Sequence, residues 1–266
     1  MNNFASKNLR NVGLFSHAGS GKTTLSEALF FNAGLLSRRG KVEEGNTVSD
    51  WQPEEIKRGI SIDLSILPWE WKGCKVNLID TPGYTDFVGN VLGAVRAVDS
   101  GVVLLCAASG VEVGTEKVWG YLSQDNLPVI FFVNRMDREG ANFDDAVEEL
   151  QKKISSRATP LFIPIGKESN FRGVIDLLHF RALYFGKEGR GEEGEIPEEM
   201  KEIAQNTREN LVENIAETND ELLDLYLEGQ EISSSQLEEA LRIAIRERKI
   251  FPILCGSGGE NKGVDI

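Results

Sequence analysis

The sequence predicts an α/β fold in which a mostly parallel central sheet is flanked by helices and carries an inserted α+β subdomain. Two observations support this class. Short apolar, β-branched runs alternate with longer stretches of helical spacing, which is typical of strand–helix–strand units. From about residue 158 the sequence pattern changes. It predicts short strands, a turn-rich segment and acidic helices, followed by one last apolar strand.

The predicted elements follow in order along the chain. The first apolar run precedes a helical run that ends in glycine, a common residue at helix C-termini. The later strands are rich in β-branched and aromatic residues. The predicted strands are NVGLFS, KVNLID, GVVLLCAA, PVIFFVN and FPILCGSG. The predicted helices are KTTLSEALFFNAG, FVGNVLGAVRAVD, GTEKVWGYLSQD, EEMKEIAQNTRENLVENIAE and SSSQLEEALRIAIRERK.

These runs divide the chain into three parts. Residues 1–157 are predicted to form an α/β core, and residues 158–249 an insertion within it. Residues 250–266 then carry the last strand of the core. With 266 residues, 41% of them apolar, the chain can bury one large hydrophobic interior or two modest ones.

Composition argues against several functions. The formal net charge of −13 argues against a DNA partner or a broad nucleic-acid surface, because phosphate contacts need Lys and Arg. The longest apolar runs are too short to span a bilayer, so no membrane association is expected. Cys74, Cys106 and Cys255 stand far apart without a CxxC pair, which predicts reduced, buried thiols in a cytosolic protein rather than a metal site.

A candidate phosphate-binding loop, SHAGSGKTT, lies between the first strand and the first helix. There, successive backbone N–H groups and the helix N-terminus can cradle phosphates, which predicts a P-loop NTPase fold. Lys22 would reach the β- and γ-phosphates, and the Thr23 hydroxyl would bind Mg²⁺. The strict pattern GxxxxGK[ST] fails at Ser16, so a glycine-rich turn that caps a helix is the alternative. The candidate nucleotide-binding residues here are Ser16, His17, Ala18, Gly19, Ser20, Gly21, Lys22, Thr23 and Thr24.

The segment DTPGYTDF follows a hydrophobic strand. Asp80 ends that strand, where a carboxylate can hold Mg²⁺ through water. Gly83 lets the backbone approach closely enough for its N–H to bind the γ-phosphate, and Tyr84 stands where a residue that orients the attacking water belongs. Lys22, Gly83 and Tyr84 are therefore the candidate catalytic residues.

Between these two motifs, KRGISI is predicted to supply a hydroxyl that reaches Mg²⁺ only when the γ-phosphate is present. Ser61 is the candidate, and together with Thr23 and Asp80 it completes the predicted metal site. The alternative is a plain edge strand, since ISIDLSIL alternates between apolar and polar residues.

Two later motifs, NRMD and CGSG, follow apolar strands and predict a guanine site. The Asp137 carboxylate can accept hydrogen bonds from the N1–H and the exocyclic amine of guanine, two donors that adenine does not present on that edge. Asn134 would tie its loop to the phosphate loop, and Arg135 would lie over the base. Gly258 would offer its N–H to the guanine carbonyl oxygen, with Ser257 shaping the turn.

These motifs, SHAGSGKTT, RGISI, DTPGYTDF, NRMD and CGSG, stand in the order of the GTPase domain of bacterial elongation factor G, which the chain resembles over essentially its whole length. The insertion is similar to the extra subdomain of that family through IPIG, NFRGVIDLL and LLDLYLEGQEISSSQLEEALR. HAGSGKTT and RRGKVEEGNTVSD resemble the second-type homologue of elongation factor G. In that family the last helix of the domain begins at NKGVDI, so we expect the domain to be truncated before it and the chain to be a fragment.

The resemblance implies a monomeric, cytoplasmic translational GTPase that binds GTP or GDP with Mg²⁺ and acts at the factor-binding site of the ribosome. It also implies that the insertion contacts the ribosomal stalk. Several residues depart from the family pattern. Gly19 replaces an aspartate, Ser61 a threonine, Arg135 a lysine, Gly258 an alanine and Tyr84 the catalytic histidine. Nucleotide binding is expected to survive these changes, whereas Tyr84 predicts weakened intrinsic hydrolysis.

Other functions stay open at the level of sequence. The chain would be a GTP-dependent ribosome-binding module if hydrolysis is largely lost. Class-three release factors and ribosomal protection proteins share this domain. Another P-loop enzyme, an ATPase or a phosphotransferase, is the third alternative, and nucleotide competition separates it from the others.

Overall fold

The computed structural model describes residues 4–186 and 189–265 of the chain. The predicted domain limits at residues 1 and 266, and residues 187–188 of the turn-rich segment, lie outside that part. The described strands are β1 (Leu9–Ser16), β2 (Ser65–Trp71), β3 (Cys74–Asp80), β4 (Ser100–Cys106), β5 (Val129–Asn134), β6 (Ala158–Pro160), β7 (Phe162–Ile165), β8 (Gly173–Asp176), β9 (Arg181–Phe185), β10 (Gly191–Gly194) and β11 (Phe251–Cys255).

The described α-helices match the predicted helical runs and add three shorter ones, of which α5 continues into a π-helical turn at Leu150–Ile154. They are α1 (Lys22–Asn32), α2 (Pro53–Arg58), α3 (Val88–Ala97), α4 (Val113–Gln124), α5 (Phe143–Glu149), α6 (Lys201–Ala216), α7 (Asp220–Leu227) and α8 (Ser234–Arg246).

The large sheet has seven strands in the order β2-β3-β1-β4-β5-β11-β6. Its neighbouring strands run parallel, except for β2, which pairs antiparallel with β3 at the edge. The insertion contributes a separate antiparallel sheet in the order β10-β9-β8-β7, followed by α6, α7 and α8. The predicted fold class, an α/β core with an α+β insertion, is therefore confirmed.

The predicted start of the insertion at residue 158 coincides with a short strand of the large sheet. Strand β6 begins at Ala158, and its residues pair in parallel with β11, so that Ala158 lies opposite Phe251 in the large sheet. The chain leaves that sheet only after Pro160. A three-residue strand is too short to show an apolar period in sequence, and its pairing partner lies about ninety positions further along the chain.

The insertion shares its hydrophobic interior with the core. Phe131 and Val133 of β5 belong to the same buried cluster as Leu211 of α6 and Leu237 of α8. Because one continuous apolar interior links them, the insertion is an integral part of the fold. Among the described residues, no helix combines the length and apolar character needed to cross a bilayer.

Parallel pairing brings the predicted motifs to one edge of the large sheet. Ser16 ends β1, Asp80 ends β3, Asn134 ends β5 and Cys255 ends β11, so the loops that follow these strands meet at the carboxyl ends. In open α/β sheets this is the edge where ligands bind.

A histidine links the small sheet to α8 within the insertion. His179 Nδ1 lies 2.7 Å from Asp176 Oδ2, and its Nε2 lies 2.9 Å from Glu238 Oε1. Burial alone would lower the pKa of His179, but hydrogen bonds with Glu238 and Asp176 outweigh burial and raise the pKa above its ordinary value. The protonated imidazolium therefore stabilises this contact.

We expect the free energy of unfolding to decrease as the pH rises through the raised pKa of His179. A histidine with a raised folded-state pKa contributes its full stabilisation below the unfolded value of about 6.5, and that contribution is lost above the folded value. Urea unfolding from pH 6 to pH 9 should show this decrease, and His179→Gln should flatten it. Glu238→Gln, which removes one partner, should flatten it partly. An unchanged pH dependence in His179→Gln would contradict the assignment.

Candidate nucleotide-binding site

Two adjoining cavities at the carboxyl edge of the large sheet form one cleft. The larger, about 720 Å³, is lined by residues of the NRMD and CGSG motifs, and the smaller, about 220 Å³, by the phosphate loop and Gly83. We call them the base end and the phosphate end of the cleft. The residues shared by both cavities are Gly21, Thr24, Val42, Glu43 and Arg135.

The phosphate loop depends on a glycine at the start of α1. Gly21 has a φ of +94° and is the N-cap of the helix, a left-handed conformation that favours glycine. A Cβ at this position would lie 2.7 Å from Asn134 Nδ2, so the close approach of the NRMD loop also requires glycine. No side chain caps α1, which leaves the N–H groups of its first turn available to an anion.

Lys22 lies buried at the phosphate end. Its Nζ donates to Ser16 Oγ at 2.8 Å. Desolvation lowers the pKa of Lys22 to about 8, against the opposing effect of the Asp80 carboxylate. A bound phosphate would supply the negative charge that this buried ammonium lacks.

Asp80 is equally buried and equally short of partners. Its Oδ2 accepts from Ser26 Oγ at 3.2 Å, whereas its Oδ1 has no hydrogen-bond partner among the described residues. Desolvation raises the pKa of Asp80 to about 6, and the Lys22 charge acts in the opposite direction. An unpartnered buried carboxylate oxygen is costly, and a cation would satisfy it.

Three further oxygen groups lie near this position. Thr23 Oγ1 and Ser61 Oγ are 3.2 Å apart, and Asp50 lies beside both residues in the walls of the phosphate end. Burial raises the pKa of Asp50 above its ordinary value. A set of hydroxyl and carboxylate oxygens is what Mg²⁺ prefers, so the predicted residues Thr23, Ser61 and Asp80 fit this cation.

Asp50 was missed by the sequence analysis. It stands in a polar segment between two motifs, and only the fold brings it to Thr23 and Ser61. Ser61 itself is not in a strand: the edge strand β2 begins at Ser65, so the alternative interpretation of ISIDLSIL holds only for its second half. In the described part of the chain, no cluster of three or more His, Cys, Asp or Glu residues forms a metal site of its own.

The segment after β3 packs directly against the phosphate loop. A Cβ on Gly83 would lie 2.7 Å from Lys22 Nζ and 2.8 Å from Ala18 Cα, so the backbone of Gly83 approaches as closely as predicted. Tyr84 lines the phosphate end, with 44% of its surface exposed. Within the described residues, the side chain of Tyr84 makes no hydrogen bond, which leaves its hydroxyl available to water or substrate.

The polar side chains at the start of the phosphate loop serve the loop itself. Ser16 Oγ and Ser20 Oγ both donate to the His17 carbonyl, at 2.6 and 3.0 Å. His17 lines neither end of the cleft. Its Nε2 lies 3.5 Å from Glu112 Oε1, and its ring lies against Gly114 of α4. A direct contact between the His17 side chain and a nucleotide is therefore not supported.

Asn134 ties the NRMD loop to both neighbouring loops. Its Nδ2 donates to the Ser20 carbonyl at 2.8 Å, as predicted, and its Oδ1 accepts from the Gly258 N–H at 2.9 Å. The contact between Asn134 and Gly258 could not be located from sequence, because the two residues are 124 positions apart. The assignment of the Gly258 N–H to the guanine carbonyl oxygen stays a prediction.

Asp137 leaves an acceptor open at the base end. Its Oδ1 is buried without a hydrogen-bond partner, and the residue lines the larger cavity together with Ser257. Arg135 has a φ of +62° and lines both ends of the cleft, and its place over the base stays a prediction. Burial lowers the pKa of its guanidinium.

Two residues that the motifs do not contain hold the segment after α1 over the cleft. Glu27 is buried, and its carboxylate accepts from the Gly40 N–H at 2.7 Å and the Val48 N–H at 2.5 Å. Arg39 donates to the carbonyl oxygens of Gly258 at 2.9 Å and of Gly259 at 2.8 Å. A charged residue inside the helical run KTTLSEALFFNAG was the one available signal for Glu27.

Comparison with known proteins agrees with this geometry. The family model of the elongation factor Tu GTP binding domain matches residues 7–266. The chain belongs to this family. It is 43% identical over 258 residues to elongation factor G of Thermotoga maritima, and 40% identical over 261 residues to elongation factor G of Mycoplasma pneumoniae. The resemblance to elongation factor G is confirmed.

The structural comparison gives the same result. A crystal structure of a protein from Thermus thermophilus superposes with a TM-score of 0.90 at 37% sequence identity, covering 96% of this chain and 38% of that one. The match to the Thermotoga protein covers 96% of this chain and 37% of the relative, and the Mycoplasma match covers 97% and 38%. The chain thus spans well under half the length of these relatives.

Proposed function

We propose that the chain is the GTP-binding and GTP-hydrolysing domain of a longer, cytoplasmic translational GTPase of the elongation factor G type. The observation that carries this proposal is a single cleft with an open Asp137 carboxylate at one end and the buried Lys22 and Asp80 charges at the other. Asp137 matches the guanine of a Mg²⁺–GTP complex, Lys22 its phosphates and Asp80 its metal.

In this proposal each motif has one task. Lys22 and the N–H groups at the start of α1 bind the phosphates, and Asp137 selects the base. Thr23, Ser61 and Asp80 would hold Mg²⁺, with the Asp50 carboxylate beside the two hydroxyls. When bound, the cation neutralises charge on the phosphate oxygens. Residues 1–157 and 250–266, together with strand β6, form the nucleotide-binding core, and the insertion is a surface for the ribosomal stalk.

Hydrolysis requires an attacking water that is held in line with the γ-phosphate, while nearby groups stabilise charge. Gly83 is close enough to Lys22 for its N–H to bind the γ-phosphate. Tyr84 lines the phosphate end, where its hydroxyl can donate to or accept from the water. We infer slow intrinsic hydrolysis that the ribosome stimulates.

The test is multiple-turnover GTP hydrolysis by the full-length protein, with and without ribosomes. A GTP-dependent ribosome-binding module is the second candidate, and the observation that favours it is Tyr84 in the position of a catalytic histidine. Ribosome-stimulated turnover would support the GTPase. GTP-dependent binding to ribosomes without turnover would support the module, and the absence of both would contradict the proposal.

Replacing Arg39 by Ala is expected to speed the release of GDP several-fold. Its guanidinium joins the segment over the cleft to the CGSG loop, and a hydrogen bond from a charged group contributes about 1.5–3 kcal/mol. Stopped-flow displacement of a fluorescent GDP analogue measures the rate. Arg58→Ala, which breaks an exposed ion pair with Glu54 on α2, is the control and should leave the rate unchanged. Equal rates in the two variants would contradict the role of Arg39.

A further inference from the structure

A second polar cavity, of about 610 Å³, lies at the opposite edge of the large sheet from the nucleotide cleft. Phe251, the first residue of β11, and Arg157, directly before β6, contribute to its walls, so it lies where these strands begin. Trp119 of α4 and the end of α8 complete the walls. None of the motifs described above contributes a residue to this cavity.

Three arginines converge on it: Arg157, Arg246 and Arg248. We call this cavity the arginine pocket. Within the described residues, none of the three forms an ion pair with a carboxylate, although the chain has 42 Asp and Glu residues against 29 Lys and Arg. The one acidic residue in the walls, Glu247, pairs with Lys249 at 2.9 Å. The pocket therefore has an excess of positive charge in an acidic protein.

Arg248 is held in place at the back of the pocket. It has a φ of +59° and donates to Asn126 Oδ1 at 2.9 Å and to Ser123 Oγ at 3.2 Å. Its guanidinium lies over the rings of Trp119 and Phe251, at 5.9 and 5.7 Å from their centroids. Its Nε is buried and has no hydrogen-bond partner.

The other two arginines keep donors available. Arg157 uses one guanidinium nitrogen to donate to the Arg248 carbonyl at 3.1 Å, so the two arginines are neighbours. Arg246 is exposed at the rim and, in the described part of the chain, makes neither a hydrogen bond through its side chain nor an ion pair. Like charges held close together without a counter-charge destabilise the folded protein, and a bound anion would offset their repulsion.

We propose that the arginine pocket binds phosphate groups. The forked guanidinium matches two oxygens of a phosphate, and Ser155 and Ser156 add hydroxyl donors in the same walls. The cavity of about 610 Å³ has room for a molecule larger than a single phosphate. A phosphorylated small molecule and a nucleic-acid backbone offer the same chemistry, and the experiment distinguishes them.

The test compares charge-reversal variants of two arginines on the same helix. Arg246→Glu changes the rim of the pocket, whereas the control Arg242→Glu makes the same change in net charge at an exposed residue that pairs with Glu239. Both side chains are exposed, so both variants should fold. Titration calorimetry of the 266-residue chain measures binding of inorganic phosphate and of a short single-stranded RNA. Both variants keep the nucleotide cleft unchanged. A difference between their binding affinities therefore arises from the arginine pocket.

We expect Arg246→Glu to weaken phosphate binding by about 10-fold or more relative to Arg242→Glu, as loss of a charge-assisted contact implies. One result would identify a nucleic-acid backbone as the source of the phosphate. RNA would bind more tightly than phosphate, and the slope of its log binding constant against log salt concentration would become shallower by about one in Arg246→Glu. If RNA binds no more tightly than phosphate, the source is a small molecule. Equal affinities in the two variants, or no binding of either probe to the parent chain, would overturn the proposal.

Discussion

Replacing Asp137 by Asn should shift the base preference of the cleft from guanine to xanthine by about 100-fold or more. The Asp137 Oδ1 is buried without a partner at the base end, where it can accept from the two guanine donors. Asparagine presents an amide donor at one of these positions and leaves a guanine donor unpaired. An unpaired buried polar group costs about 1–3 kcal/mol, more where charge is involved, and xanthine carries a carbonyl that restores the match.

Competition of GTP, XTP and ATP against a fluorescent GDP analogue measures this shift. Asp144→Asn is the matched control, since it makes the same chemical change at an exposed position of α5 outside the cleft. The parent chain and the control should select GTP and GDP over both other nucleotides. Competition by ATP as effective as that by GTP in the parent chain would contradict the guanine assignment and favour another P-loop enzyme.

Residues within short motifs were predictable because local chemistry dictates their conformation. An apolar run followed by glycines and a lysine predicted that α1 begins at Lys22, and Gly21 has the left-handed backbone that such a loop requires. Asp80 and Asn134 end strands β3 and β5. They were therefore predicted to lie at the same edge of the sheet, because the carboxyl ends of parallel strands meet there. Both inferences need only periodicity and the geometry of a parallel sheet.

Contacts that join distant segments were not predictable. Glu27, Arg39 and Asp50 gain their roles because the chain between α1 and β2 folds back over the cleft, and that path leaves no periodic pattern in the sequence. The hydrogen bond from the Gly258 N–H to Asn134 Oδ1 was not predictable for the same reason. A motif specifies that a polar group is present, but it does not specify which partner that group finds in the fold.

The surroundings of Tyr84 bear on the role that we propose for it. Its side chain stands between the phosphate end of the cleft and a small cavity of about 100 Å³, whose walls include Val88, Val91 and Val118. The ring can therefore lie toward apolar neighbours as well as toward the phosphates. A tyrosine also extends its oxygen further from the backbone than a histidine extends its nitrogens, so we expect the hydroxyl to overshoot a water close to the γ-phosphate.

Replacing Tyr84 by His should raise the ribosome-stimulated GTP turnover of the full-length protein by about 10-fold or more, the range of a positioned acid–base group. An imidazole reaches a nearer water and can carry positive charge close to the transition state, which a neutral phenol cannot. The isolated parent chain should hydrolyse GTP below about 10⁻² s⁻¹, the rate of a self-sufficient GTPase.

Tyr84→Phe is the control. It keeps the ring and removes the hydroxyl, so it should match the parent if that hydroxyl is idle. A lower rate in both variants, with GTP affinity unchanged, would instead identify Tyr84 as an adapted catalytic residue whose hydroxyl positions the water itself.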